Sequence, residues 1–189
     1  MELRITSGEY KNKKLKVPKS ASPVRERVKL AIFSIIDDKV TEADCIDICA
    51  GSGNLGLEAL SRGAARCTFI EEDYEAVSFI KENIKSVLSL ETNPNKFNET
   101  DKAVLIKSDM VRHIANDSRN YDIVFWDPPY DVPVKHAFKY IHDLLKKGGI
   151  LVYLHATDSK INIPEINPVL KITDSRKYGV TTVDFIARV

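Results

Sequence analysis

Short apolar runs alternate with helical segments along most of the chain, and this alternation constrains the fold more than any other feature. Apolar runs joined by helices of about 10–15 residues are typical of right-handed βαβ units in a mostly parallel sheet. The predicted strands are residues 45–50, 67–71, 103–109, 121–126 and 150–156, and the predicted helices are residues 22–36, 54–63, 74–87, 110–116 and 134–145. The sequence therefore predicts an α/β fold with helices on both faces of the sheet.

The ends of several segments carry further signals. We expect Ser22 to cap the first helix, with Pro23 at the first helical position. Gly148-Gly149 is expected to end the helix that precedes the last of these strands. Residues 90–102 are polar and predict a surface loop. The tail of the chain predicts two more strands, which are joined around Tyr178-Gly179.

The composition suits one folded domain. The chain has 189 residues, of which 43% are hydrophobic and 29% are charged, and these values argue against disorder. No apolar stretch reaches the ~20 residues that cross a bilayer, and residues 1–14 lack the apolar core of a secretory signal. We therefore expect a cytoplasmic monomer that does not enter a membrane. Cys45, Cys49 and Cys67 form no CxxC pair, so we interpret them as reduced core residues and expect no metal site.

Basic residues concentrate near the N-terminus. Residues 1–29 carry nine Lys or Arg and three Asp or Glu, although the net charge of the chain is only +1. Such a local excess attracts polyanions, but it is also found on solvated arms without a function, and charge alone does not decide between the two. We treat residues 1–20 as a basic arm or hairpin and residues 21–189 as the main domain.

Acids or glycine turns follow four of the predicted strands. One acid at a strand end is ordinary, because strands often end in polar residues. In parallel sheets, however, ligands bind beyond the carboxyl ends of the strands, and four such stretches at consecutive strand ends indicate a site. The stretches are Asp47–Gly53, Glu71–Asp73, Asp109 and Asp127–Tyr130.

The first of these stretches lies within "DICAGSGNLG" (47–56). Gly51 and Gly53 allow positive φ angles and a close approach of a ligand to the backbone, and the free N–H groups of the next helix face that ligand. A phosphate-binding P-loop is excluded, because no Gly-Lys-Ser/Thr follows. A dinucleotide site remains possible, with Glu71 on the ribose hydroxyls. Asp109, at the end of the third strand, and the motif after the fourth strand favour S-adenosylmethionine instead.

That motif is "DPPY" (127–130), directly after the apolar run "YDIVFW" (121–126). An exocyclic amine on a base is a poor nucleophile, because its lone pair is delocalised into the ring. Two acceptors on its hydrogens favour a pyramidal nitrogen, and the carboxylate of Asp127 and the carbonyl of Pro128 are such acceptors. Tyr130 can stack on the base. The alternative is a rigid turn that only ends the strand.

The chain resembles the RsmD family, bacterial enzymes that use S-adenosylmethionine to methylate the N2 amine of one guanine in 16S ribosomal RNA. The resemblance covers nearly the whole chain. It is carried by "LRITSGEYKNKKLKVP" (3–18), "DICAGSGNLGLEALSRGA" (47–64), "FIEED" (69–73), "YDIVFWDPPY" (121–130) and "RKYGVTTVDF" (176–185). The "DPPY" motif alone is shared with DNA adenine methyltransferases, so the glycine-rich stretch is the more specific part.

The resemblance implies a Rossmann-like class I methyltransferase domain that acts on the small ribosomal subunit. It implies cofactor contacts by Asp47, Ala50, Gly51, Ser52, Gly53, Glu71, Glu72, Asp109 and Met110. It implies catalytic contacts by Asp127, Pro128, Pro129 and Tyr130, and RNA contacts by Arg4, Lys13, Lys14, Arg25, Arg27, Arg176 and Tyr178.

Two positions depart from the family pattern. "SPV" (22–24) stands where "RPT" is usual, and Leu154 stands where a Glu usually precedes His155. Two other functions also fit the motifs. One is methylation of an adenine N6 amine or of a protein amine with the same acceptors, and the other is RNA binding without catalysis.

Overall fold

Seven strands form one sheet in the part of the chain that the structure, a computed structural model, describes: residues 3–19, 22–89, 102–129, 134–159 and 161–189. The strands are β1 (Asp44–Ile48), β2 (Arg66–Glu71), β3 (Ala103–Lys107), β4 (Tyr121–Trp126), β5 (Leu145–Ala156), β6 (Leu170–Tyr178) and β7 (Thr181–Arg188). Their order across the sheet is β3-β2-β1-β4-β5-β7-β6. The strands β1 to β5 pair in parallel, whereas β7 pairs antiparallel with both β5 and β6. The predicted α/β fold is confirmed.

Helices cover both faces of this sheet. They are α1 (Glu26–Ile36), α2 (Asn54–Ser61), α3 (Tyr74–Val87), α4 (Met110–Asn116), α5 (Lys135–Phe138) and α6 (Ile163–Ile166). One core cluster contains apolar side chains of α1, α2 and α3, and a second contains side chains of α4, α5 and α6. The inner strands β1 and β4 are buried on both faces, which explains why they are almost continuously apolar.

The first helix begins later than its sequence predicts. Arg25 is the residue before α1, with φ −63° and ψ 146°, and the helix starts at Glu26. Ser22 and Pro23 therefore lie outside the helix, and the prediction that they begin it is wrong. The side-chain amide of Asn54 donates to the carbonyl of Val24 at 3.1 Å. This contact holds the segment before α1 against the start of α2.

The predicted helix 134–145 is also wrong in its extent. It consists of the four-residue helix α5 and a 3-10 helix at Ile141–Leu144, and β5 begins directly after it. Gly148-Gly149 lies inside β5 and not at a helix end. The pairing of β4 with β5 shifts register between Tyr121 and Ile123, so the glycines accommodate an irregular strand pair.

The segment before the first helix packs on the domain. Ile5 and Leu15 are buried in the same core cluster as α1 and α2, and Arg4 forms an isolated antiparallel bridge with Lys14. The boundary drawn at residues 20–21 lies outside the described residues, as does nearly all of the predicted loop 90–102, so both stay predictions. No helix of the described chain has the length and apolar character needed to span a membrane.

Candidate active site

The strand order creates a crevice at the carboxyl edge of the sheet. The chain runs outward from β1 to β2 and β3, and then returns to place β4 on the other side of β1. Connections that leave neighbouring strands in opposite directions open a crevice between them, where ligands of parallel sheets bind. The four sequence stretches predicted to form a site follow β1, β2, β3 and β4 at this edge.

The glycine turn between β1 and α2 has a left-handed backbone at alternate positions. The φ angles are 61° at Cys49, 57° at Gly51 and 74° at Gly53. Two backbone hydrogen bonds hold the turn, from Ala50 N to the Ile70 carbonyl at 3.0 Å and from Gly53 N to the Ala50 carbonyl at 2.7 Å. Gly51 and Gly53 adopt this conformation without the steric cost that a side chain brings. The result is a tight turn whose backbone is open to a close approach.

Glu71 joins this turn to the end of β2. Its Oε2 accepts a hydrogen bond from Gly51 N at 2.8 Å, and its Oε1 accepts from Glu72 N at 2.9 Å and Asp73 N at 3.0 Å. Three backbone N–H groups therefore orient one carboxylate at the crevice. The two N–H groups on Oε1 occupy both of its lone pairs, whereas Oε2 keeps one, so Glu71 can still accept from a ligand hydroxyl.

Asp47 lies beneath the turn and is almost completely buried. Its Oδ2 accepts from Gly56 N at 2.9 Å, which ties β1 to α2. Burial raises the pKa of Asp47 to about 8, against the lowering effect of the Gly56 N–H, and the charges of Asp127 and Glu71 raise it further. Asp47 is therefore protonated for much of the time at neutral pH.

Asp127 follows β4 across the crevice from the glycine turn. Burial raises the pKa of Asp127 to about 7, and no hydrogen bond joins this carboxyl group to any group in the described part of the chain. Pro128 is buried and Pro129 is exposed, and neither proline has an N–H that could neutralise the acid. Asp127 is half-buried by solvent accessibility, and acids with perturbed pKa values cluster at functional sites. Tyr130, also predicted here, lies outside the described residues.

Three other predicted cofactor residues lie at the same edge with different surroundings. Asp109 caps α4, because its side chain accepts from Arg112 N at 2.8 Å. Met110 is buried, and its sulfur lies 3.5 Å from the Cys49 sulfur. The side chain of Glu72 is exposed. Hydrogen bonds join the glycine turn to Glu71, and Asp47 to Gly56 on α2. Asp109 and Met110 are not part of that network, and Glu72 joins it only through its backbone N–H.

The predicted RNA contacts divide into two surface groups. The first group lies on the N-terminal segment and at the start of α1, and its members are exposed: Arg4, Lys13, Lys14, Arg25 and Arg27. Arg4 pairs with Glu26 at 3.3 Å. The second group lies on the β6–β7 hairpin, where Arg176 pairs with Asp174 at 3.0 Å and Tyr178 packs against the core cluster that also buries Ile5.

The structure places His155 in a polar cluster with Asp184 and Ser175 that the sequence did not indicate. His155, at the end of β5, contacts Asp184 on β7 at 3.0 Å, and Ser175 on β6 donates to the same carboxylate at 2.6 Å. Burial lowers the pKa of His155, but the hydrogen bonds to Asp184 and to the Ala156 carbonyl, together with the charge of Asp184, outweigh this effect and the net pKa is raised. In the sequence, Asp184 interrupts the apolar run of β7, and this interruption could have indicated a polar contact there. Leu154 is buried in the core cluster that also contains Val152 and Phe185.

Other regions of the described chain have fewer side chains that could bind a ligand. No group of three or more His, Cys, Asp or Glu side chains there could hold a metal ion. A surface cavity of about 620 Å³ is lined by Lys147, Gly148, Arg188 and Val189 at the opposite edge of the sheet. Arg188 already donates to the carbonyls of His142 and Leu145 there. We therefore assign the site to the crevice.

Known proteins are similar to this chain over almost its whole length. The model of a family described as Conserved hypothetical protein 95 matches residues 3–187. A Bacillus subtilis protein, named putative rRNA methyltransferase YlbH, is 32% identical over 189 residues, which cover 96% of each chain. Ribosomal RNA small subunit methyltransferase D of Escherichia coli is 37% identical over 131 residues, which cover 68% of this chain and 61% of that protein.

A solved structure agrees with these matches. The putative methyltransferase yhhF from Escherichia coli has a TM-score of 0.84 and 25% identity, and the superposition covers 100% of this chain and 98% of that one. The parallel sheet with its antiparallel last strands is therefore the Rossmann-like fold of class I methyltransferases. The match of the family model and the identity to both bacterial relatives show that this chain belongs to the RsmD family.

Proposed function

We propose that this chain transfers a methyl group from S-adenosylmethionine to the N2 amine of a guanine in 16S ribosomal RNA of the small subunit. The single observation that carries the proposal is the half-buried carboxyl group of Asp127, which lies beside two prolines at the crevice and forms no hydrogen bond within the described part of the chain. An acid with a structural role would accept from backbone N–H groups, as Asp73 does from Ala76 N at the start of α3. This substrate implies a cytoplasmic protein.

The crevice has groups that fit S-adenosylmethionine. Glu71 would accept from a ribose hydroxyl through Oε2, and the turn Ala50 to Gly53 would lie against the amino-acid part of the cofactor. Asp109 would be the acceptor nearest the adenine amine. The bound cofactor supplies an electrophilic methyl group on a sulfonium. Asp47 keeps the glycine turn on β1 through Gly56 and adds little negative charge while it is protonated.

Asp127 and Pro128 act on the amine. The Asp127 carboxylate accepts a hydrogen bond from one N–H of the amine, and the Pro128 carbonyl accepts one from the other. These two bonds favour a pyramidal nitrogen whose lone pair is no longer delocalised into the ring. The bond to Asp127 strengthens as the nitrogen gains positive charge, so it stabilises the transition state more than the ground state. The ionised carboxylate is the stronger acceptor, and its pKa of about 7 makes ionisation achievable at neutral pH. Most of the catalysis is positioning and electrostatics.

The target base has to leave its pair to reach these acceptors. Guanine N2 lies on the pairing edge of the base, so the nucleotide must be unpaired or flipped out. Tyr130 would stack on the exposed ring, a contact worth about 1–3 kcal/mol. The exposed basic residues of the N-terminal segment would contact phosphates, and these contacts position the RNA without reading its sequence.

The test is methyl transfer from labelled S-adenosylmethionine to small-subunit particles that lack the modification. Digestion of the product to nucleosides distinguishes N2-methylguanosine from N6-methyladenosine, and a protein-bound label would identify a protein amine. Asp127→Ala should transfer the label at least a hundredfold more slowly in a single turnover, about 2.7 kcal/mol of barrier. Asp122 lies on the same strand but pairs with Lys146 at the opposite edge, so Asp122→Ala is the matched control. Label on adenine or protein, or equal rates for Asp127→Ala and Asp122→Ala, would refute the proposal.

A further inference from the structure

One buried side chain connects the N-terminal segment to the glycine turn. Asn83 on α3 is 1% exposed. Its Oδ1 accepts from Lys16 N at 2.8 Å, and its Nδ2 donates to the carbonyl of Lys16 at 2.8 Å and to the carbonyl of Ser52 at 2.9 Å. The same amide therefore holds the backbone of the basic segment and the backbone of the turn between β1 and α2.

A second buried side chain makes a parallel connection. Lys29 on α1 has a completely buried ammonium group, which donates to the carbonyl of Arg4 at 2.7 Å and to Oδ1 of Asn54 at 2.7 Å. It also pairs with Glu58 at 2.9 Å. Asn54 is the first residue of α2 and directly follows Gly53. Both ends of the N-terminal segment are therefore bonded to residues at the glycine turn.

These connections are strong because they are buried. Breaking a hydrogen bond in a low-dielectric interior leaves polar groups without partners. The backbone of Lys16 and the backbone of Ser52 are thus expected to become ordered or disordered together. The exposed Lys13 and Lys14 precede Lys16 by two and three residues, so phosphates that bind them would order the same segment.

From these contacts we infer that Asn83 is a positioning residue that couples RNA binding on the N-terminal segment to cofactor binding on the glycine turn. The inference rests on the proposed function, because it takes RNA and S-adenosylmethionine as the two ligands. Each ligand orders its own side of the shared contact, and the second ligand then meets a site that is already ordered. The coupling is therefore positive, and it must be equal in both directions.

The experiment measures binding and not turnover. S-Adenosylhomocysteine is the cofactor probe, because it lacks the sulfonium charge that would attract RNA directly. The RNA probe is unmodified 16S ribosomal RNA made by transcription. Filter binding gives the RNA affinity with and without saturating S-adenosylhomocysteine, and calorimetry gives the affinity for S-adenosylhomocysteine of the protein alone. Wild-type protein should bind the RNA at least about fivefold more tightly when the cofactor probe is present.

Asn83→Leu should bring this ratio close to one, since leucine has a similar size but forms none of the three hydrogen bonds. Asn167→Leu is the matched control. Asn167 is also buried, and its Nδ2 donates to the Phe138 carbonyl at 2.8 Å and lies 2.9 Å from Nδ1 of His142. It lies on the other face of the sheet, packed with α5 and α6. The control should keep the wild-type ratio even though it loses a comparable set of buried hydrogen bonds.

The outcomes separate the inference from the proposed function. Wild-type protein that does not bind S-adenosylhomocysteine would refute the proposed function, and wild-type protein that binds S-adenosylhomocysteine but not the transcribed RNA would overturn the inference. Wild-type protein that binds both probes with a ratio of one, or Asn83→Leu protein that keeps the wild-type ratio, would overturn the inference and leave the function intact. If circular dichroism shows that Asn83→Leu does not fold, Asn83→Ser takes its place. The serine hydroxyl can still bond one of the backbone groups that Asn83 contacts, but it cannot reach the carbonyls of both Lys16 and Ser52. The same ratio decides the result.

Discussion

Replacing Asp127 should make the fold more stable and methyl transfer slower. Burial raises the pKa of this acid to about 7, whereas an aspartate in the unfolded chain titrates near about 3.9. Below pH 4 the acid is neutral in both states and no charge is buried. As the pH rises to about 7, the unfolded chain ionises first, and the folded state loses stability. Above pH 7 both states are ionised and the loss is constant.

The magnitude follows from the two pKa values. Each unit of pKa difference corresponds to about 1.4 kcal/mol, so wild-type protein should lose about 2.7 kcal/mol between pH 5 and pH 8 through this one group. Asp127→Asn has the same shape and does not titrate. The stability of the variant relative to wild type should therefore rise by about this amount over that range. Asp47 would also lose a repulsive neighbour, which acts in the same direction.

Asp122, on β4, provides a control whose effect on stability has the opposite dependence on pH. Burial alone would raise the pKa of Asp122, but the hydrogen bond from Lys146 lowers it overall. Its contribution to stability is present above the unfolded pKa and is lost as the pH falls through the lower folded pKa. Asp122→Asn should therefore destabilise the protein at pH 8, where Asp127→Asn stabilises it.

The assay is urea unfolding of the three proteins at half-unit steps from pH 5 to pH 8.5, together with single-turnover methyl transfer by Asp127→Ala at pH 8. A stability difference between Asp127→Asn and wild type that does not change with pH would refute the assignment of a carboxyl group whose pKa is raised in the folded protein. A stabilised and fully active Asp127→Ala would show instead that the residue only ends a strand.

Further substitutions test the other parts of the site. Glu71→Ala should weaken cofactor binding at least tenfold, about 1.4 kcal/mol, because hydrogen bonds to charged groups are worth about 1.5–3 kcal/mol each; unchanged affinity in calorimetry would contradict the ribose assignment. Replacing Lys13 and Lys14 by Ala should lower the slope of log RNA affinity against log salt by about 0.7–0.9 per lost phosphate contact. An unchanged slope would show that the N-terminal segment is only a solvated arm. Gly56→Ala should destabilise the fold by about 1–3 kcal/mol in urea unfolding, because its Cβ would lie 2.6 Å from the Cys67 sulfur and collide with the Phe69 ring; a variant as stable as wild type would contradict this packing.

The sequence alone determined the arrangement of the elements and the edge at which the site lies. The helix α3 has the bounds that its apolar spacing predicts, and Asp73 caps it by accepting from Ala76 N. The glycine turn and the acids after β1, β2 and β4 were predicted to meet because the carboxyl ends of parallel strands share one edge. These features depend on local periodicity and on general rules of connection, which residue types report directly.

Only the tertiary structure determined which charged side chains are buried, which are paired and how their pKa values change. Lys29 counted toward the basic excess near the N-terminus, but it is buried against Glu58, and Lys16 pairs with Glu82 on the surface. Asp122 and Asp127 are acids five positions apart on one strand, yet one pKa is lowered by a lysine and the other is raised by burial. Desolvation and ion pairing depend on groups that are distant in the sequence and meet only when the chain folds. For this reason the sequence predicted which acids lie at the edge of the proposed site, whereas their protonation and the link through Asn83 required the folded structure.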